Sequence, residues 1–123
     1  MSTTLALPGP DMPVIDESRL MAEFGGDREI LAELRDLFLE HAPPLYETIK
    51  RAADEQDLAI IARDAHSLKG ACATYGAPRL AMVCKVAENA AKDSDWETIN
   101  ELMEVLDAEY EKVFEAISNL SVS

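Results

Sequence analysis

The chain of 123 residues is long enough for one domain with a substantial buried core. Its 11 Lys and Arg residues against 24 Asp and Glu residues give a net charge of −13, so most of its surface would repel a nucleic-acid backbone or an anionic membrane. Hydrophobic residues make up 48% of the chain and aromatic residues only 6%, which is more typical of packed helices than of a sheet sandwich. We therefore expect an all-helical protein that neither binds nucleic acid nor inserts into a membrane.

The sequence shows no pattern for secretion and none for a metal site. No apolar run approaches the roughly 18 residues that span a bilayer, so we expect a cytoplasmic protein. Cys72 and Cys84 fall at apolar positions of helical patterns, and their separation does not match a metal-ligand spacing. They are predicted to be buried free thiols.

The N-terminal region divides into a leader and a short helix. Residues 1–14 contain three prolines and lack any periodicity, which predicts a flexible leader before a helical domain at residues 15–123. Asp16 can cap a helix that ends at Phe24. Gly25-Gly26 can adopt the left-handed backbone conformation that often ends a helix. The apolar side of this helix is expected to form a lid on the core: Leu20, Met21 and Phe24.

A longer helix is predicted to begin after Asp27. Apolar residues recur there at spacings of three and four, which indicates one buried stripe: Ile30, Leu34, Leu37, Phe38 and His41. His41 is therefore expected to have a packing role. Pro43-Pro44 interrupt the pattern, and we predict a kinked continuation because the apolar face resumes at Leu45 and Ile49.

Three further helices follow. Asp57 can cap one that runs to about Tyr75, and Gly76 is suited to end it. Pro78 fits the first turn of the next, whose buried stripe is Leu80, Val83, Cys84, Ala87 and Ala91. Ser94 or Asp95 caps the last, from Trp96 to Leu120, whose apolar set is Ile99, Leu102, Met103, Leu106, Tyr110, Val113, Phe114, Ile117 and Leu120. This layout predicts an antiparallel up-down four-helix bundle with a short additional N-terminal helix.

His66 occupies an unusual position in the third helix. The core stripe of this helix is Leu58, Ile61, Ala65, Leu68 and Cys72, and His66 lies outside that arc, on a flank that can reach water. Lys69 is one turn further on, and Gly70 follows although a glycine inside a helix costs about 1 kcal/mol relative to alanine. With the small residues Ala62 and Ala73 on the same flank, the surface around the ring is expected to be low enough for a partner to approach.

These residues carry a resemblance to a known family. The run His66-Ser67-Leu68-Lys69-Gly70, followed by Gly76-Ala77, Leu80, Cys84 and Glu88, resembles the histidine-containing phosphotransfer (HPt) domain of multistep phosphorelays. The close motif covers about Ala62 to Lys92, and the helical layout extends the likeness from about Ile15 to Leu120. Relatives commonly have serine at the position after Gly70, where this chain has Ala71, so a serine hydrogen bond near the site is not expected here.

The resemblance implies a phosphorelay intermediate. His66 would accept a phosphoryl group from an aspartyl phosphate on a receiver domain and pass it to another receiver aspartate. A neutral imidazole nitrogen can attack phosphorus directly. The implied partners are receiver domains of hybrid sensor kinases and of response regulators. No cofactor is expected on this chain, because the Mg²⁺ would be bound by the acids of the receiver and by the phosphoryl group.

The resemblance gives the neighbours of His66 candidate roles, each with an ordinary alternative. Lys69 would stabilise the phosphoryl oxygens, or be a solvated lysine. Glu88 would hold Lys69 or accept the proton of the non-attacking imidazole nitrogen, or be a plain exposed acid. Lys92 would contact an acidic receiver surface, or be an ordinary cation at a helix end. The remaining candidates, for an exposed rim around His66 or for packing of the lid, are Met21 and Phe24.

Other function classes fit the sequence less well. A histidine kinase would need a glycine-rich nucleotide loop and a second domain, and the chain has neither. A metal-binding bundle would need Glu-x-x-His repeats, which are also missing. The alternative that stays open is a non-catalytic helical adaptor that binds a receiver or a kinase without being phosphorylated.

Overall fold

The computed structural model describes residues 12–25 and 27–120, with side chains as far as 117. The predicted leader falls mostly on residues 1–11, which lie outside this range. Five helices make up the described part: α1 (Glu17–Phe24), α2 (Arg28–Asp54), α3 (Leu58–Tyr75), α4 (Pro78–Lys92) and α5 (Trp96–Leu120). The prediction of an all-helical protein is confirmed.

Aspartates begin four of the helices. The side chain of Asp16 accepts from the backbone N–H of Arg19 at 3.0 Å, and Asp27 and Asp57 cap α2 and α3 in the same way. Asp95, rather than Ser94, caps α5, because its carboxylate accepts from the N–H of Thr98 at 3.1 Å. Each cap satisfies a helix donor that otherwise has no partner inside the helix, and the predicted helix starts are confirmed.

α2 continues without interruption through its two prolines. Pro43 and Pro44 lack the N–H donors of that turn, and the hydroxyl of Thr48 donates to the carbonyl oxygen of Pro44 at 2.8 Å. The predicted continuation of the helix is therefore confirmed. Its buried face runs through Phe38 and Ile49.

The predicted buried stripe of α2 is partly wrong. His41 is exposed, and Leu37 and Ile30 are 50% and 38% exposed. Leu37 and His41 line an open groove of about 220 Å³ between α2 and α3. Of the predicted stripe, Phe38 is buried and Leu34 half-buried, and the buried face continues through Ala42 rather than His41, so a packing role for His41 is not supported.

α3 lies between α2 and α4 and makes the most extensive contacts with both, while α5 packs on α4 and also touches α2. The predicted stripe of α4 is buried throughout, and five residues of the predicted α5 set are buried: Ile99, Leu102, Leu106, Val113 and Ile117. The side chain of Leu120 lies outside the described residues.

Between α2 and α5, the rings of Tyr46 and Tyr110 stack with centroids 3.8 Å apart, and the Tyr46 hydroxyl donates to Asp107.

Buried polar groups also connect the helices. Arg79 of α4 donates to both carboxylate oxygens of Glu109 on α5, at 2.9 and 2.8 Å, and it also donates to the carbonyl oxygen of Met12 at 3.2 Å. Residue 12, at the end of the predicted leader, therefore contacts the helical domain.

Cys72 and Cys84 are buried free thiols, as predicted, and the hydrogen bond between them together with burial raises the pKa of Cys72.

α1 covers one end of α3. The N–H of Asp16 donates to the carbonyl oxygen of Gly76 at 2.8 Å, and Arg19 donates to that of Thr74 at 3.2 Å. Leu20 is buried over Gly76. Within residues 12–25 and 27–120, no helix combines the length and the apolar character that crossing a membrane requires.

The two glycines of the motif are expected to respond oppositely to alanine. Gly76 ends α3 with φ 94°, a left-handed conformation that costs an L-residue about 1–2 kcal/mol, so Gly76→Ala should lower the free energy of unfolding by that amount. Gly70 lies inside α3, and beyond the adjoining helix backbone no atom of the described residues is within 4 Å of the place that an alanine methyl would take. Gly70→Ala should therefore raise the free energy of unfolding by about 0.5–1 kcal/mol. Urea denaturation followed by circular dichroism measures both, and changes of the same sign would contradict these assignments.

Candidate functional site

The imidazole of His66 projects from the side of a rigid helix. Its side chain is 66% exposed, whereas the neighbouring core residues Ala65 and Leu68 are fully buried. Four members of the predicted core stripe of α3 are buried and one is half-buried: Ile61, Ala65, Leu68 and Cys72, with Leu58 at the edge. The ring therefore occupies the solvent-facing flank that the sequence pattern predicts.

Glu88 of α4 connects the polar groups of the site. Its side chain is only 7% exposed, so the interpretation of Glu88 as a plain exposed acid is wrong. Oε1 accepts from Nζ of Lys69 at 2.8 Å. Oε2 lies 3.1 Å from Nδ1 of His66 and accepts from Nζ of Lys92 at 2.9 Å. One carboxylate thus joins the histidine and both lysines.

This contact determines which nitrogen of the ring is available. Because a carboxylate only accepts hydrogen bonds, we infer that Nδ1 of His66 carries the proton and donates it to Glu88. In the neutral imidazole the lone pair then belongs to Nε2. The ring is thus held by one nitrogen, and no hydrogen bond from the described residues occupies the other.

Glu88 remains ionised at neutral pH. The hydrogen bond from Lys69 is the largest cause, and with those from Lys92 and His66 it outweighs the opposing effect of burial and lowers the pKa of Glu88 to about 2. Lys92 forms its bond from four residues further along α4, a spacing that favours such pairs on a helix. Lys92 is therefore part of the site network and more than a cation at a helix end.

Glu88→Gln is expected to lower stability in a pH-dependent way. The pKa of Glu88 is below its ordinary 4.5 in the folded protein, so its ion pairs stabilise the fold fully above about pH 4.5 and cease to do so as the pH falls toward about 2. At pH 7 the substitution should lower the free energy of unfolding by about 1–2 kcal/mol. The effect is limited because Lys69 and Lys92 remain partly hydrated in the folded protein. Urea denaturation of both proteins across this range measures it, and a difference that grows at low pH would contradict the network.

The residues around His66 have small side chains that project little from the surface. Gly70 and Ala73 are exposed and Ala62 is half-buried, and a side chain at Gly70 would project into open space. A groove of about 390 Å³ begins beside Lys69 and Ala73 and extends between α3 and α4. These features leave room for another protein to approach the ring.

The rim candidates Met21 and Phe24 lie on α1. α1 packs at Thr74 and Gly76, and Thr74 lies roughly 12 Å along the helix axis from His66. Phe24 is half-buried against the core, which corresponds to the lid interpretation, whereas Met21 is 54% exposed. Among the described residues, no hydrogen bond or ion pair joins α1 to His66.

Two buried acids were not anticipated from the sequence. Asp64, next to the core residue Ala65, pairs with Nε of Arg63 at 2.9 Å, and Glu109 pairs with Arg79. Their positions on the buried arcs of α3 and α5 are the signal that could have found them. In the part of the chain that the structure describes, no three His, Cys, Asp or Glu side chains are grouped so as to hold a metal ion.

Comparisons with known proteins identify the family and the fold of the chain. The sequence profile named "Hpt domain" matches residues 33–116, a range that contains His66, Lys69 and Glu88. The fold is similar to the crystal structure of the histidine-containing phosphotransfer protein ZmHP2 from maize, with a TM-score of 0.70 and 22% sequence identity over 87% of this chain and 84% of that chain. A comparison with curated proteins gave no match. Because the profile covers more than half of the residues and includes the whole His66 network, the chain belongs to the Hpt domain family.

Proposed function

We propose that this protein is a phosphorelay intermediate in which Nε2 of His66 accepts a phosphoryl group from a receiver-domain aspartyl phosphate and transfers it to another receiver aspartate. The observation that carries the proposal is an exposed ring whose Nδ1 is held by the buried carboxylate of Glu88. Membership of the Hpt family supports a phosphocarrier role in phosphorelays, without an ATP site. The partners would be receiver domains of hybrid sensor kinases and of response regulators, in the cytoplasm.

The transfer step needs no general base on this chain. As Nε2 forms its bond to phosphorus, the bond between phosphorus and the aspartyl oxygen breaks and the receiver carboxylate leaves. The ring then carries a positive charge, which the ionised Glu88 stabilises through the hydrogen bond from Nδ1. The proton on Nδ1 stays in place, and the reverse attack by a second carboxylate restores the neutral ring.

Lys69 would contact the transferred group. Its ammonium has three donors, one of which binds Glu88, so the others can reach phosphoryl oxygens. A lysine one turn from the nucleophile would neutralise charge on the phosphoryl group as it passes between the proteins. The required Mg²⁺ would be held by the acids of the receiver and by the phosphoryl group.

We also propose that α2 to α5 form an antiparallel up-down four-helix bundle, with α1 added at one end. Contacts between helices support this arrangement, because residues later on one helix meet residues earlier on the other: Lys69 and Cys72 meet Glu88 and Cys84, and Phe38 and Tyr46 meet Phe114 and Tyr110. Such a bundle is rigid enough to present His66 in a fixed orientation.

A transfer experiment tests the proposed function. The protein is mixed with Mg²⁺ and each of several receiver domains carrying radioactive phosphate on their aspartates. We expect the label to move to this chain, where it is labile in acid and stable in alkali, as a phosphorus–nitrogen bond would be. Receivers that bind the protein but never transfer label would support the adaptor instead, and an alkali-labile label would indicate a carboxylate as acceptor.

A further inference from the structure

The groove of about 390 Å³ between α3 and α4 has a largely apolar lining. It runs from Asp16 and Arg19, at the start of α1, to Lys69, which is one helical turn from His66. Covering such a lining with an apolar segment removes it from water, which is favourable. The side chains that form its apolar part are small or flexible: Cys72, Ala73, Ala77, Ala81 and Met82.

The N-terminal part of the chain meets this groove at Met12. Met12 is half-buried and is itself part of the groove lining, and its carbonyl oxygen accepts from Arg79 at 3.2 Å. Four residues later, the N–H of Asp16 donates to the carbonyl oxygen of Gly76 at 2.8 Å. The segment from Met12 to Asp16 is therefore fixed against the ends of α3 and α4. Residues 1–11 continue the chain from a residue that already belongs to the groove.

The sequence of residues 1–11 is suited to an apolar groove. Leu5 and Leu7 are two residues apart, so their side chains point to the same side of an extended chain. Pro8 and Pro10 favour an extended backbone, which reduces the entropy that this segment loses on binding. Asp11 is the one charged side chain of these residues, and its charge is opposite to that of Arg19, Lys69 and Lys85 in the groove lining: the charges are complementary.

Residues 1–11 are also long enough to reach the far end of the groove. Lys69 and Gly76 are seven residues apart, which corresponds to about 10 Å along the axis of α3. A proline-rich extended chain spans about 3.1 Å per residue, so Leu7 and Leu5 can lie up to about 15 and 22 Å from Met12. A tether this short gives an effective concentration on the order of millimolar, so weak contacts are sufficient to fill the groove.

We propose that residues 5–11 occupy this groove while no partner is bound, with Leu5 and Leu7 against its apolar lining. A segment that reaches Lys69 covers the surface one turn from His66, so it must leave before another protein can approach the ring. The leader thus acts as an intramolecular competitor of a docking receiver. Only this competition rests on the proposed function; occupation of the groove does not.

Methyl groups identify the occupant of the groove without any phosphorylation. The full chain is prepared with ¹³C in the methyl groups of Met and Leu. We expect a nuclear Overhauser effect between Met82 and Leu5 or Leu7, and a shift of the Met82 signal in the double variant Leu5→Ser/Leu7→Ser. Met21 and Met103 are not part of the groove lining, so their signals are the internal controls. An unchanged Met82 signal, or equal shifts of all three methionines, would overturn the proposal.

A mixture of two samples separates the same chain from a second copy as the source of the occupant. One sample carries the label only in methionine and the other only in leucine. We expect no Overhauser effect between Met82 and leucine in the mixture, because a tethered segment outcompetes the segment of another chain at micromolar protein. An effect that appears between the two samples would show that the leader fills the groove of a second copy, and would overturn the intramolecular assignment.

The competition has a consequence for the relay. Leu5→Ser/Leu7→Ser should raise the second-order rate constant of phosphoryl transfer about threefold to tenfold, which corresponds to a groove that is open for about a third to a tenth of the time in the wild type. Thr3→Ala/Thr4→Ala changes the same leader without removing a leucine and should keep the wild-type rate constant. No increase in the leucine variant, or equal increases in both, would overturn the competition.

The tests separate this proposal from the proposed function. If no receiver transfers label to the wild-type protein, the proposed function fails and the methyl spectra alone decide whether the leader occupies the groove. If transfer occurs but Met82 shows no contact with Leu5 or Leu7, the relay stands and the role of the leader is wrong.

Discussion

His66→Gln is expected to lose phosphoryl acceptance completely while keeping the fold. The ring is 66% exposed and lies outside the buried stripe of α3, so its removal leaves the core unchanged. Glutamine can still donate to Glu88, but its amide nitrogen has no available lone pair to attack phosphorus. In the transfer experiment the label on this variant should fall to background, and circular dichroism should show the helices of the wild type.

His41→Gln is the matched control for this substitution. His41 is the second of the two histidines, it is also exposed, and it lies on α2 with no acidic partner among the described residues. We expect wild-type labelling of this variant. Label retained on His66→Gln, or lost from His41→Gln, would show that the phosphoacceptor has been assigned to the wrong residue.

Lys69→Met is expected to slow the transfer step itself by about 100-fold, the typical effect of removing one donor that stabilises charge in a transition state. Methionine keeps most of the aliphatic length of the side chain and removes the ammonium. With the receiver at saturating concentration, the first-order rate constant reports the reaction within the complex. Rapid-quench measurement of label on this chain gives that rate constant.

Lys92→Met shows whether Lys69 acts directly on the phosphoryl group. Both lysines bind Glu88, at 2.8 and 2.9 Å, so both variants remove one hydrogen bond from its carboxylate. If Lys69 also contacts the phosphoryl oxygens, Lys92→Met should lose less than about tenfold in the same rate constant. Equal losses would mean that Lys69 acts only through the orientation of Glu88 and His66.

Local chemistry made much of the fold predictable. Aspartates with a free acceptor one turn before an apolar run defined the helix starts, and Gly76 defined the end of α3. The flank position of His66 followed from the spacing of Ala65 and Leu68 around it. Each of these features depends on residues within about one turn of each other, which a sequence displays directly.

Features that depend on how helices pack were not predictable in the same way. Leu37 and Phe38 are both apolar neighbours on α2, and only contact with the other helices decides that Phe38 is buried and Leu37 exposed. The charge of Glu88 can be buried because the ammonium of Lys69, 19 residues earlier in the chain, pairs with it. Arg79 and Glu109 are 30 residues apart and meet only after α4 and α5 pack.

The central claim is that Glu88 holds Nδ1 of His66 and leaves Nε2 as the attacking atom. Nuclear magnetic resonance of the phosphorylated protein, with ¹⁵N in its histidine rings, tests this claim most directly because the coupling between phosphorus and nitrogen identifies the bonded atom. We predict coupling to Nε2 of His66 and a proton retained on Nδ1. Phosphorus bonded to Nδ1, or to any group other than His66, would contradict the claim.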